Sequence, residues 1–299
     1  MLRTLLPLIF IFGSTIVYAA TPACTINANG EVTNDVDSMT AGSGNGCYVT
    51  PDVIYLPVYK VGLCSSIPTY VNYLTECTFL LDSATATEVE VEKNQTFNVV
   101  DNITLTEGNY PAAVLLLGTS IAYKHKVNFT ISQDGWSDAG AATSGTTCVS
   151  RTVSGNQDDI ASNSGGFYEC GDSTLIAGKF TESSGAYEDN GTCQITNGAV
   201  ERTNNSSPLE FSTSSGSTVM CGMFNESTLE TGTGSNTNAT RVLAIQTFTN
   251  PVTISPTTSS MEIGLKVTDM LGLEKHLDTN NNSYYNAFLD GVELKVTAQ

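Results

Sequence analysis

Apolar and polar residues alternate at every second position along much of this chain, and that period predicts β-strands. In Ala86–Lys93, Thr87, Val89 and Val91 share one face while Glu88, Glu90 and Glu92 share the other. Tyr123–Ile131 repeats the pattern, with Tyr123, His125, Val127, Phe129 and Ile131 set against Lys124, Lys126, Asn128 and Thr130. Asp52–Leu63, Thr78–Leu81, Arg241–Phe248, Val252–Ser255, Met261–Thr268 and the C-terminal Val292, Leu294 and Val296 also read as strands. Pro57 lacks a backbone N–H, which assigns Asp52–Leu63 to a sheet edge or a bulge. Ile103–Ile121 departs from strict alternation. It reads as a strand, a tight turn at Glu107-Gly108-Asn109, then a continuous apolar run over Ala112–Leu117. A run of that length between Pro111 and Gly118 predicts a strand buried on both faces, and the core is expected to be built on it. It is too short to cross a membrane. Helical patterning is nearly absent. The stretch between Cys64 and Cys77 reads as a short irregular or one-turn helical piece, and Asp269–Lys275 has room for a single turn.

Short strands separated by Gly, Pro and Asn turns predict an all-β, antiparallel β-sandwich. The 299 residues divide into an N-terminal leader (1–19), a disulfide-closed arm (20–50) and a first part of the sandwich (51–131). A long insertion follows (132–240), then the second part of the sandwich and a C-terminal strand (241–299). The insertion is rich in Gly, Ser, Thr and Asn and reads as loops and hairpins pinned by disulfides. Its aromatics, Trp136, Phe167, Tyr168, Phe180, Tyr187 and Phe211, argue against disorder throughout.

The leader reads as a secretory signal peptide. Arg3 supplies the basic end, Leu5–Val17 the apolar stretch and Val17-Tyr18-Ala19 the cleavage site, with cutting expected after Ala19. No later segment is expected to span a bilayer. Eight cysteines, Cys24, Cys47, Cys64, Cys77, Cys148, Cys170, Cys193 and Cys221, follow the leader. An even number in an exported chain predicts disulfides. Their grouping favours sequential pairs 24–47, 64–77, 148–170 and 193–221. The formal net charge is −18, from 30 acidic and 12 basic residues. Such a chain repels nucleic acid and anionic lipid, so no nucleic-acid partner is expected.

Motifs for chemistry are few. GxSxG, HExxH and a dinucleotide fingerprint are absent, and the two histidines, His125 and His276, lie far apart in sequence. His125 falls on a packing face and reads as structural. Ile176–Phe180 echoes a phosphate loop, but its first glycine is misplaced and Phe180 stands where Ser or Thr is needed. Paired carboxylates of a hydrolase can meet in space without leaving a motif. Glu88, Glu90 and Glu92 read as a solvated face, or as an acidic docking or calcium stripe. The nearest match to a calcium loop is Asp278, Asn280 and Asn282, whose oxygens mimic its first ligand positions. The expected glycine is Ser283 and the twelfth position is Leu289, so an Asn-rich turn is the favoured reading. No cofactor other than that calcium candidate is expected. Asn-x-Ser/Thr sequons include Asn94, Asn102, Asn128, Asn190, Asn225 and Asn238.

The order of four segments carries a resemblance. These are Val58–Leu63, the Val/Glu strand Ala86–Lys93, Leu105–Tyr110 leading into the apolar strand, and Asn250–Val267. The series resembles the prealbumin-like β-sandwich domains of bacterial exported proteins, over Asp52–Ile131 and Arg241–Thr268. The resemblance implies a sandwich of prealbumin-like or Ig-like type serving as a surface or periplasmic accessory, adhesive or binding domain, and it brings no catalytic residues. The leader, the cysteines and the lack of catalytic motifs lead to the expectation of a non-catalytic structural or interaction protein, secreted, at the cell surface or in the periplasm. Its partner would be a surface polymer, another protein or a second copy of itself. The alternative is a secreted binding module for a glycan or a calcium ion.

Overall fold

The computed structural model describes residues 23–34, 47–68, 73–93, 106–136, 142–155, 167–182, 193–196, 199–202, 210–213, 216–225, 230–231, 241–258, 261–277, 283–289 and 293–298. Its strands are β1 (Cys47–Val49), β2 (Val53–Cys64), β3 (Cys77–Glu92), β4 (Gly108–Gly118), β5 (Ile121–Lys124), β6 (Lys126–Trp136) and β7 (Ala142–Ser150). Then come β8 (Ser154–Gly155), β9 (Tyr168–Gly171), β10 (Phe180–Glu182), β11 (Cys193–Thr196), β12 (Ala199–Arg202), β13 (Glu210–Thr213) and β14 (Gly216–Asn225). The last are β15 (Glu230–Thr231), β16 (Arg241–Ile254), β17 (Met261–Lys266), β18 (Leu271–Leu277), β19 (Ser283–Leu289) and β20 (Glu293–Ala298). The one described helix, α1 (Tyr73–Glu76), lies between Cys64 and Cys77. The fold is all-β and almost entirely antiparallel, as the alternation predicts; β10 with β8 is a parallel exception.

The largest sheet has ten strands organised around β2 and β4. Strand β2 pairs with β3 on one side, while β4 and then β5 follow one another along the other side. The ladder with β4 runs to Val58↔Leu117 and resumes with β5 at Tyr55↔Ala122. Pro57 sits at this break, where no N–H is called for. The strand is central, not an edge; Pro57 lies in the gap between the two ladders, next to a register shift between Val58 and Lys60. Beyond β4 the sheet continues through β16, β14 and β13; beyond β5 it continues through β10 and β8. Segment 132–240, which reads in sequence as an insertion, contributes strands to both wings of this sheet.

Every residue from Ala112 to Gly118 is buried. Alternation divides them. Ala113, Leu115 and Leu117 join a large core, while Ala112, Val114 and Leu116 join a smaller one with Tyr73, Leu243, Ile245 and the Cys64–Cys77 pair. The large core is closed from the far side by β6–β7–β9, β1–β18–β19 and β17–β20, through residues such as Phe129, Leu265, Leu273, Tyr285 and Leu294. A sheet packed on both faces has the layering a β-sandwich requires.

Three local expectations are corrected by pairing. Gly108 and Asn109 belong to β4, not to a turn, because β16 extends past a bulge to pair Val252–Ile254 with Tyr110–Gly108. Asp269–Lys275 is not helical: Leu271–Leu277 is strand β18, held between β1 and β19. Tyr123–Ile131 is not one strand. It breaks at His125, where the chain leaves the large sheet as β5 and enters another as β6. Ile131, at its end, is 46% exposed.

One side chain replaces a missing ladder. Gln246 on β16 donates from Nε2 to the carbonyl of Leu294 (2.7 Å) and accepts at Oε1 from the Leu294 N–H (2.6 Å). Its amide thereby pairs with β20 as a backbone residue would, in a site 1% exposed. Two tests follow from these contacts. Leu115→Ala and Leu116→Ala should each cost about 3 kcal/mol in chemical denaturation, although they point to opposite faces. A strand buried on one face would show that cost at only one of the two. Gln246→Ala should cost about 2–4 kcal/mol, because it leaves two buried backbone groups unpaired; a loss under about 0.5 kcal/mol, the size of an ordinary surface substitution, would refute the assigned role.

Candidate functional site

The polar heart of the described structure surrounds His125. The ring is 1% exposed and is approached by the rings of Tyr123 (5.8 Å), Tyr168 (5.5 Å) and Tyr285 (5.9 Å between centroids). Phe180 packs against Tyr123 and Tyr168. These residues come from β5, the β5–β6 break, β9, β10 and β19, so the cluster sits where two sheets meet the large one. Nε2 of His125 is hydrogen-bonded to Tyr285 Oη at 2.9 Å. The other ring nitrogen, Nδ1, has no hydrogen-bond partner. Tyr123 and Tyr168 hydroxyls contact each other, and both reach the carbonyl of Ala287. Ser150 fixes the break itself: its Oγ accepts from the His125 N–H (3.0 Å) and donates to the Gly178 carbonyl (2.7 Å).

Burial sets the titration of this cluster. Desolvation lowers the His125 pKa to about 3, and raises that of Tyr285 well above its ordinary value, with Tyr168 adding to the rise. A neutral imidazole closed in by aromatic rings is a packing group, as its place on an apolar face predicts.

An open cleft of about 280 Å³ lies elsewhere, between the N-terminal arm, β1, the start of β6 and the turn before β18. Ile26, Tyr48, Thr50, Lys93, Asn128 and Asp269 contribute to its walls. The arm is shaped by Cys24–Cys47 and by Val32, which donates its N–H to the Asn128 carbonyl (2.7 Å). Asp269 holds a left-handed backbone (φ 54°), a conformation Asp tolerates better than most residues, and its N–H donates to Thr50 Oγ1 (3.1 Å). Lys126 also lines the cleft, but its ammonium donates to the carbonyls of Ser173 (2.7 Å) and Leu175 (2.8 Å). Beside both lysines, Asp52 has a raised pKa; burial outweighs the backbone N–H of Lys126 and the charges of Lys93 and Lys126.

The sequence-derived candidates are scattered. Glu88, Glu90 and Glu92 are exposed on β3 above buried Val89 and Val91. Glu88 is paired with Lys179 through both oxygens (3.0 and 2.9 Å), and the Lys179 ammonium also sits 4.1 Å above the Tyr55 ring. That engagement, together with the Gly178 N–H to the Ser150 carbonyl (2.7 Å), makes Ile176–Phe180 a structural loop. A Cβ on Gly178 would meet Thr152 N at 2.3 Å, so glycine is there for close packing. Asp278, Asn280 and Asn282 lie outside the described residues, as do Asn94, Asn102, Asn190 and Asn238. Among the described residues no group of three or more His, Cys, Asp or Glu is placed to hold a metal ion. Cys24–Cys47, Cys64–Cys77 and Cys148–Cys170 are disulfides. The side chains of Cys193 and Cys221 fall outside the description. Sequence reading missed the cleft, since its walls come from five separated segments that share no motif. It also missed the partners of His125, although the alternation put that residue in the core.

No family model, no curated protein and no solved structure matches this chain.

Acid should expose the buried histidine. The folded pKa lies below the ordinary 6.5, so between pH 6.5 and about 3 the unfolded chain binds a proton that the folded one refuses. Stability contributed by neutral His125 is present above pH 6.5 and falls as pH drops, by about 1.4 kcal/mol per unit. Urea melts of the parent and of His125→Gln from pH 7 to 5 check this. The parent should lose stability more steeply, and equal slopes would contradict the burial of an uncharged ring.

Proposed function

We propose that this protein is an exported, non-catalytic structural or interaction protein, working at the cell surface or in the periplasm. The observation that carries the reading is the set of disulfides. Each closes a short chain segment, with separations of 23, 13 and 22 residues. Two of them join directly opposed residues of neighbouring strands, Cys64↔Cys77 and Cys148↔Cys170. In the chain-entropy model each is worth about 3 kcal/mol. Three such bonds are compatible with an oxidising, extracytoplasmic location. The N-terminal basic-apolar leader supports the same compartment. Among the described residues no helix is long and apolar enough to cross a membrane. The resemblance to prealbumin-like exported domains also favours a surface or accessory role.

Two measurements test the reading. Cells expressing the tagged full chain should expose it to added protease or release it into the periplasmic or culture fraction, with residues 1–19 removed. Non-reducing peptide mapping should recover the three pairs from that material. Retention in the cytoplasm with free thiols would overturn the proposal.

A further inference from the structure

We propose that the cleft between the N-terminal arm and β6 binds an uncharged sugar residue of a surface polysaccharide. This deepens the reading above, and rests on it only for the place where such a polymer is met. The volume, about 280 Å³, lies just below the usual range for drug-sized ligands and suits one ring with part of a second.

The walls divide by chemistry. Ile26, 49% exposed, and the half-buried Tyr48 offer apolar surface for the C–H face of a pyranose. Lys93, Asn128 and Asp269 also line the cleft, and their side chains carry both hydrogen-bond senses. The Lys93 ammonium donates. Asn128 has its carbonyl oxygen engaged by Thr147 Oγ1 (2.9 Å), so its amide offers N–H donors. The Asp269 carboxylate accepts only. Sugar hydroxyls donate and accept at once and satisfy this mixture, and bonds to charged partners are the stronger kind.

Charge decides the class of sugar. Two lysines, Lys93 and Lys126, are set against two carboxylates, Asp269 in the wall and Asp52 beside the lysines. The Lys126 ammonium is already held by two carbonyls. An anionic sugar would meet Asp269 inside a chain of net charge −18, and a cationic one would meet Lys93. A neutral ring meets neither penalty. The geometry is also held in place before a ligand arrives. Cys24–Cys47 anchors one wall, and the Asp269 backbone is locked to Thr50.

The test uses the purified, oxidised full chain and methyl glycosides of glucose, galactose, mannose and N-acetylglucosamine, with glucuronate, glucosamine and glycine beside them. Saturation-transfer NMR detects binding and titration calorimetry measures it. At least one neutral glycoside should bind, and more tightly than glucuronate, glucosamine or glycine. Asp269→Asn, which keeps a residue tolerant of the left-handed backbone, and Lys93→Gln should each weaken binding about tenfold with the melting temperature unchanged. Absence of binding by every neutral glycoside overturns the proposal. So does preference for a charged probe, or binding that ignores both substitutions. A protein that reaches the cell surface yet binds no glycoside refutes this inference alone and leaves the exported reading standing.

Discussion

The structure depends on the burial of β4 from both sides. A strand whose successive residues all point into apolar surroundings cannot lie on the outside of anything. Leu115 and Leu117 need one set of partners and Leu116 needs another. The large core meets the first demand through strands drawn from nearly the whole chain. The second falls to a small cap made by α1, Tyr59, Phe79 and the Cys64–Cys77 pair. Hydrophobic burial thereby fixes which face of the large sheet each remaining segment must cover, before any polar contact is considered.

Much of this is written locally. The apolar run of β4, the alternation of β3 near Glu88–Glu92 and the spacing of the cysteines each depend on residues within a short window. What remained hidden depends on pairing between distant segments. Nothing near Leu271 announces that β1 and β19 will flank it, and pairing decides its strand state. Gly108 and Asn109 carry turn composition, yet β16 recruits them. The break at His125 is likewise invisible in a periodic sequence, because alternation continues through it while the partner strands change. The cleft was illegible for a stronger reason: Ile26, Tyr48, Lys93, Asn128 and Asp269 each have an ordinary local explanation, and only the fold brings them together.

Where sheets meet, polar side chains do the work that ladders do within them. Gln246 imitates a strand residue toward Leu294, and Ser150 joins His125 to Gly178 across the corner. Such joints are demanding. A buried amide or hydroxyl with its partners in place specifies one arrangement of the layers, whereas the same group displaced is left unsatisfied at full desolvation cost. The apolar core favours collapse of these sheets onto one another; the joints select the registration in which they collapse.

The covalent links are placed at the margins of that scheme. Cys64–Cys77 closes the smaller core, Cys148–Cys170 holds the strand that carries Tyr168, and Cys24–Cys47 fastens the arm to β1. The arm has the least apolar support of the three. Ile26 is half exposed and Val32 is the arm's deeply buried aliphatic anchor. Without its disulfide the arm would rely on that anchor and a few backbone hydrogen bonds, and the cleft would lose one wall. An oxidising compartment, with which the three disulfides are compatible, and the cleft formed by the arm are therefore coupled physically. The conditions that keep Cys24 bonded are those under which the cleft keeps its shape, so a ligand site there is suited to work outside the reducing interior of a cell.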